Sequence, residues 1–320
     1  MTHIKPYVIG IDCGGTNTVV GVVDARGKIA ATSSFKTGEC IEFGDFIQAC
    51  AKACQEVMDA VGGAQMIAGI GVGAPNANYY SGNIENAANL PWKGILPLAE
   101  QLSNSLGIPV AVTNDANAAA IGEMTYGAAR GMRDFIMITL GTGVGSGIVI
   151  NGELVYGSDG FAGELGHVKV RRGGRKCGCG HCGCLETYCS ATGVARTAVE
   201  FLQTRKDDSL LRQLKPEEIT SKDVYDAAVK GDVLAKEIFE FTGEIMGEAF
   251  ADFVCFSAPE AIILFGGLAQ AGDLLFKPIR KSMEANLMTI WKDKVKLIPS
   301  SLKPGSAAVL GASALGWKAK

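Results

Sequence analysis

The sequence predicts an α/β protein built from two duplicated halves that face each other across a cleft. A strand, a glycine-rich loop, a second strand, a turn and a third strand occupy 7–35, and the same succession returns at 135–155. Between and after these units, buried-type apolar runs alternate with stretches of helical spacing, the pattern of layered α/β folds. At 320 residues, 48% apolar and 20% charged, the chain is long enough for two moderate cores.

The first strand is "YVIGI" (7–11), leading into "DCGGTNT" (12–18), a second strand "VVGVV" (19–23), a turn "DARG" and a third strand "KIAATSSF" (28–35). Residues 43–61 have helical spacing, with Phe46, Ile47, Cys50, Cys54, Val57, Met58 and Val61 on one side. Cys50 and Cys54 read there as core filling. "MIAGIGV" (66–72) is a buried strand, "AEQLSNSLG" (99–107) a helix ending on a glycine cap, and "PVAVTND" (109–115) a strand running into the helix 116–129. The second unit is "FIMITLGTGVGSGIVINGELV" (135–155). Residues 190–258 read as mostly helical, "EAIILFGG" (260–267) as a strand ending on two glycines, and "AAVLGASALGWK" (307–318) as a helix folding back onto the first half. The expected domains are a small one over 1–117, joined by the C-terminal helix 305–320, and a large one over 118–304 that carries a cysteine-rich loop.

A net charge of −3 and a pI near 5.7 offer no basic field for nucleic acid or an anionic membrane. "RRGGRK" (171–176) is basic but reads as a solvated loop. No run approaches the roughly eighteen apolar residues of a membrane span, and the N-terminus lacks a signal peptide's apolar core. A cytoplasmic protein is expected, in which clustered cysteines lean toward metal rather than disulfides. Five of the ten cysteines fall within "CGCGHCGCLETYC" (177–189).

Glycine, at 42 residues, is close to twice its usual share. Neither glycine loop has the P-loop pattern or precedes a helix as a dinucleotide fingerprint does. Each joins two antiparallel strands, where bare backbone N–H groups and a Thr hydroxyl can face an anion. Asp12 beside a phosphate calls for a divalent cation between them. The plainer reading is a pair of hairpin turns capped by Asp and Thr. Asn114 and Asp115 end a strand and begin a helix, where capping explains them as readily as chemistry. An ionisable carboxylate at that junction could also serve as a proton acceptor. Of three histidines, His3 lies in the terminus and His167 and His181 beside the cysteines, so histidine is the weaker rival.

Taken jointly, "DCGGTNTVVGVVD" (12–24), "NDANAAAIGE" (114–123), "LGTGVGSGIVINGEL" (140–154), "GFAGELGH" (160–167) and "CGCGHCGCLE" (177–186) resemble the ROK family of repressors, open reading frames and kinases, and within it the ATP-dependent glucokinases. The resemblance runs from residue 7 to residue 317. It implies an actin-like, ribonuclease H-like pair of domains closing over sugar and nucleotide, and phosphorylation of a hexose, glucose first, by ATP with Mg²⁺. Asp115 matches the family's catalytic base. Asn89, Asn114, Asp115, Glu164, His167 and Glu186 match its sugar contacts. ATP phosphates are expected between Gly14-Gly15-Thr16 and Gly141-Thr142-Gly143, with Asp12 near the Mg²⁺ and Gly266 and Gly267 admitting the adenosine. Cys177, Cys179 and Cys184 match a structural zinc motif with His167 as fourth ligand, while Cys182 and His181 are competing candidates and a redox pair Cys179–Cys182 is a further reading. A homodimer is also implied.

The stretch "GVGAPNANYYSGNIENA" (71–87) departs from the family's G-x-P-G-like turn beside the sugar, so N-acetylmannosamine, fructose, allose and N-acetylglucosamine stand as alternative substrates. The family's repressors carry a helix-turn-helix ahead of the first glycine loop, and a strand starting at Tyr7 leaves no room for one. A non-catalytic sugar sensor is the remaining alternative.

Overall fold

The computed structural model describes residues 5–87, 89–303 and 306–319. His3, and Gly305 and Lys320 at the two ends of the expected C-terminal helix, lie outside the described residues.

The first sheet contains β1 (Tyr7–Cys13), β2 (Asn17–Asp24), β3 (Ile29–Lys36), β4 (Ile67–Gly73) and β7 (Val110–Thr113), in the order β3-β2-β1-β4-β7. The ladders β1–β2 and β2–β3 are antiparallel, and β1–β4 and β4–β7 are parallel. A two-stranded ribbon, β5 (Ile84–Glu85) with β6 (Ile95–Leu96), follows β4. The second sheet repeats the plan with β8 (Phe135–Leu140), β9 (Val144–Ile150), β10 (Glu153–Leu154), β11 (Ala261–Phe265) and β12 (Lys296–Pro299), in the order β10-β9-β8-β11-β12. Both halves therefore share one topology, as the repeated strand–loop–strand units predicted. β12 has little strand signal of its own, being four residues at a sheet edge embedded in the charged stretch "WKDKVKLIP".

Helices cover the outer faces. α1 (Phe43–Asp59) buries Phe46, Ile47, Cys50, Cys54, Val57 and Met58, and a reciprocal capping box between Glu42 and Asp45 starts it. Cys50 and Cys54 are completely buried core filling, as expected. α2 (Leu98–Leu106) stops at Gly107, whose φ of 64° is the left-handed cap. The second sheet is covered by α4 (Glu186–Cys189), α5 (Ala191–Thr204), α6 (Ser221–Val229), α7 (Val233–Ser257) and α8 (Asp273–Asn286), which bury a continuous apolar core around Phe239, Phe250 and Ile279.

Two helices lie on the inner faces and join the halves. α9 (Ala307–Gly316) packs on β1 and β4, and α3 (Asp115–Tyr126) packs on β8 and β9 and against α9. Both are lined with Ala and Gly because the backbones nearly touch. A Cβ on Gly10 would collide with the Val309 carbonyl, one on Gly71 with the Ala312 carbonyl, and one on Gly122 would lie 2.7 Å from Gly311 Cα. This close-packed seam sets the angle between the sheets, and so the width of the cleft. No helix of the described residues is long and apolar enough to cross a membrane.

Candidate active site

The register of the first sheet brings β1, β4 and β7 to a common edge, pairing Asp12 with Gly73 and Gly73 with Thr113. Asn114 follows as the N-cap of α3, its side chain accepting from Asn117 N at 2.7 Å. Capping thus explains Asn114 Oδ1, while its amide NH₂ has no protein partner among the described residues. Asp115 is the first helical residue, its Oδ1 accepting from Ala116 N at 2.9 Å. Its side chain is open to solvent at the cleft floor, yet protein surrounds it on the other sides. Loss of hydration raises its pKa, and the local backbone N–H groups oppose the rise. Burial, with the nearby Asp115 charge as second cause, pushes Asp12 up from 3.8 to about 6.

Facing this pair are carboxylates from the second half. Ser146 on β9 donates to the Gly163 carbonyl and accepts from Leu165 N at 3.1 Å, tying the 163–167 turn to the sheet. Glu164 stands on that turn. Burial raises its pKa, His167 opposes this, and the Asp115 and Glu186 charges reinforce it. His167 directs Nε2 toward Glu164 at 4.0 Å and Nδ1 toward Glu186 at 3.9 Å. Asp12, Asp115, Glu164, His167 and Glu186 therefore form one interacting group. Asn89 stands apart: its backbone carbonyl fills the space a Gly15 side chain would occupy, and no hydrogen bond links it to that group among the described residues. Lys93, unsuspected from sequence, shapes the Asn89 loop by donating to the Ala87 and Leu90 carbonyls at 2.9 Å each.

Behind His167 the ligand atoms of His167, Cys177, Cys179 and Cys184 all lie within 4.8 Å of one another. Cys177 Sγ is 3.6 Å from His167 Nδ1, and Cys179 Sγ is 3.6 Å from Cys184 Sγ. A tetrahedron with metal–sulfur bonds of about 2.3 Å has edges of about 3.7 Å, so the spacing suits a four-coordinate ion. The His181 backbone N–H holds the Cys179 thiol down at about 6, whereas burial raises Cys177 and Cys184. Cys182 is outside the cluster, and His181 Nδ1 lies 3.7 Å from Cys179 Sγ. Cys189 is buried in α4.

The second glycine loop is a tight turn in which Gly141 N donates to Gly143 O at 3.1 Å. The start of α5 anchors it, with Ala191 N donating to Gly141 O at 2.9 Å and Thr192 Oγ1 to Thr142 O at 2.7 Å. Gly143 needs no side chain because Glu186 Oε2 occupies that space, accepting from Val144 N at 3.3 Å. Beside the loop opens a cavity of about 580 Å³, lined by Thr142, Lys222, Tyr225, Asp226, Gly267 and Gln270. Gly267 faces this space. Gly266, with φ of 110°, instead makes room for the Leu140 backbone. Gly14 closes the first loop by donating to Asn17 O at 3.1 Å, leaving Thr16 exposed. A separate groove of about 620 Å³ between α7 and α8 is remote from these residues.

"RRGGRK" is only partly the solvated loop its composition suggests. Arg172 and Lys176 are exposed, but Arg175 is 7% exposed and fully hydrogen-bonded.

Two sheets of identical strand order joined by an inner helix pair are the actin-like architecture that the motifs implied. The ROK family profile matches residues 8–319, and the chain belongs to that family. It is 36% identical to the glucokinase of Halalkalibacterium halodurans over 98% of this chain and 95% of that protein. It is 35% identical to the glucokinase of Thermotoga maritima over 97% of each. Its structure superposes on the crystal structure of a ROK family glucokinase from Streptomyces griseus in complex with glucose and AMPPNP with a TM-score of 0.80, at 34% identity, covering 98% of this chain and 99% of that one.

Proposed function

We propose that this chain is an ATP-dependent hexose kinase that phosphorylates glucose, with Asp115 as general base. The observation that carries the reading is the position of Asp115: a solvent-open carboxylate of raised pKa at the cleft floor, with Asp12 beside it and Glu164 within electrostatic reach. The full-length similarity to glucokinases supports the choice of sugar.

Asn114, Asp115, Glu164, His167 and Glu186, with Asn89 from the loop before Trp92 in the first half, receive the hexose hydroxyls. Carboxylates accept from a polyol without competing as donors. Asp115 accepts the proton of the attacking hydroxyl as its oxygen bonds to the γ-phosphorus and the bond to the ADP oxygen breaks. The bare backbones of Gly14-Gly15-Thr16 and Gly141-Thr142-Gly143 receive the phosphates, and the 580 Å³ cavity at Gly267 receives the adenosine. Asp12 is the residue that would help hold the Mg²⁺ carried by ATP, which would neutralise phosphate charge. Gly266 serves the fold by admitting the Leu140 backbone, so Gly267 is the glycine left to face the nucleotide.

The Cys177-Cys179-Cys184-His167 cluster would hold a structural zinc ion, whose chemistry is to fix the loop and the His167 ring. With Nδ1 engaged, His167 Nε2 remains for a sugar hydroxyl. The enzyme acts in the cytoplasm, as a homodimer without a nucleic-acid partner. An ADP-release assay across a panel of hexoses tests the reading. Glucose should give the highest kcat/KM, and a panel without hexose-dependent ADP release would return the chain to the sensor class.

A further inference from the structure

We propose that Arg175 is a positioning residue for the sugar-facing carboxylate Glu186, acting through the helix that carries it and touching neither sugar nor metal. The proposal rests on the hexose-kinase reading. α4, which begins with Glu186, has four residues and no side-chain cap at its start, so its own hydrogen bonds cannot fix its direction. Arg175 supplies what is missing. Its Nη1 donates to the Thr187 carbonyl at 2.8 Å and to the Gly193 carbonyl at 3.2 Å, gripping α4 and the start of α5 with one nitrogen. Nη2 donates to Thr197 Oγ1 at 2.9 Å, and Nε to both Glu200 carboxylate oxygens at 3.1 Å. The guanidinium lies 4.4 Å over the Tyr188 ring, and the Arg175 backbone N–H donates to the Tyr188 hydroxyl at 3.0 Å.

The elbow so gripped links both sides of the site. Ser190 ends α4 and caps α5, donating to the Glu186 carbonyl at 2.6 Å and accepting from Gly193 N at 3.0 Å. Glu186 in turn faces Cys177 Sγ at 3.1 Å and Val144 N at 3.3 Å, so a small rotation of α4 displaces its carboxylate from the sugar wall. Among the described residues no hydrogen bond of Arg175 goes to a cysteine or histidine side chain, which separates its effect from metal binding. Lysine cannot replace a fork that holds two carbonyls, a hydroxyl and a carboxylate at once.

The test uses the full-length zinc-loaded protein and the variants Arg175→Lys, Arg175→Gln, Glu200→Gln and Glu186→Gln, measuring KM for glucose and ATP, kcat, bound zinc and Tm. Arg175→Lys and Arg175→Gln should raise the glucose KM about ten-fold or more. The ATP KM should stay within about two-fold, zinc should remain stoichiometric, and kcat should change little. Glu200→Gln, at a half-exposed position, should move the glucose KM the same way by less, and decides the matter if the Arg175 variants do not fold. An unchanged glucose KM in a folded Arg175 variant or in Glu200→Gln, or equal rises in both KM values, would overturn the proposal. Absence of hexose phosphorylation by the wild type would remove the kinase reading and this inference with it. Wild-type turnover with a sensitive Glu186→Gln and an insensitive Arg175→Lys would remove the inference alone.

Discussion

Replacing Asp115 by Asn should separate chemistry from binding. The amide keeps an Oδ1 that can accept from Ala116 N, now 2.9 Å away, so the start of α3 and the cleft floor are preserved. What disappears is the proton acceptor, a loss of about 10²–10⁴ in rate, or about 3–5 kcal/mol of barrier. The charge pressing on Asp12 disappears as well. The rise of Asp12 from 3.8 to about 6 corresponds to at most about 3 kcal/mol between its protonation states, less with screening in the open cleft. Because burial is the larger cause, Asp12 should fall only part of the way back toward 3.8. The variant should therefore fold with equal or greater stability at pH 8, bind glucose within a few-fold of wild type, and turn over at least a hundred-fold more slowly. Single-turnover kinetics and calorimetric glucose binding read the two effects separately. A kcat within three-fold of wild type would refute Asp115 as base, and loss of glucose binding matching the loss of kcat/KM would make it a binding residue only.

Further outcomes follow from the same geometry. Ionised Asp115 is the reactive form and burial raises its pKa, so kcat/KM should begin to fall with decreasing pH above the range of an ordinary aspartate; a profile that falls only within the ordinary aspartate range contradicts this. Asp12→Asn removes a carboxylate whose folded pKa exceeds its unfolded one, a penalty present at high pH and relieved as pH falls through about 6. The variant should thus gain more Tm at pH 8 than at pH 5, by calorimetry. Cys179→Ser, or zinc removal by chelation, should weaken glucose binding more than ATP binding, since the cluster backs His167 and Glu186; equal losses by titration calorimetry would reduce the metal to holding the large half together. Gly71→Ala forces a methyl into the Ala312 carbonyl at the α9 seam and should cost about 1–3 kcal/mol or more in urea unfolding.

Much of the fold was legible because its information is local. The two strand–loop–strand units, the one-sided apolar spacing of α1 and the Gly107 cap each announce themselves within a few residues. β12 did not, since a short edge strand owes its existence to the Ala261–Leu264 ladder rather than to its own residues. In the site, the carboxylates and the cysteine ligands were legible through the family motifs, and the ligand atoms of His167, Cys177, Cys179 and Cys184 lie within 4.8 Å of one another. Arg175 was misjudged with its basic neighbours because its partners Thr197 and Glu200 lie more than twenty residues away. The departing loop 71–87 gave no hint of its role either. Asn78 within it donates to the Asp159 carbonyl at 2.7 Å, and Tyr79 stacks on Tyr156 at 4.0 Å, so the segment bridges the two halves. Gly266 was grouped with Gly267 by adjacency, although the two face different neighbours.

The central claim, phosphoryl transfer from ATP to glucose in this cleft, is tested most directly by phosphorus NMR of one reaction mixture. With glucose, ATP and Mg²⁺, the γ-phosphate signal should decline in step with the growth of a sugar 6-monoester signal and of ADP. Appearance of inorganic phosphate alone, or an unchanged ATP spectrum, would contradict the account.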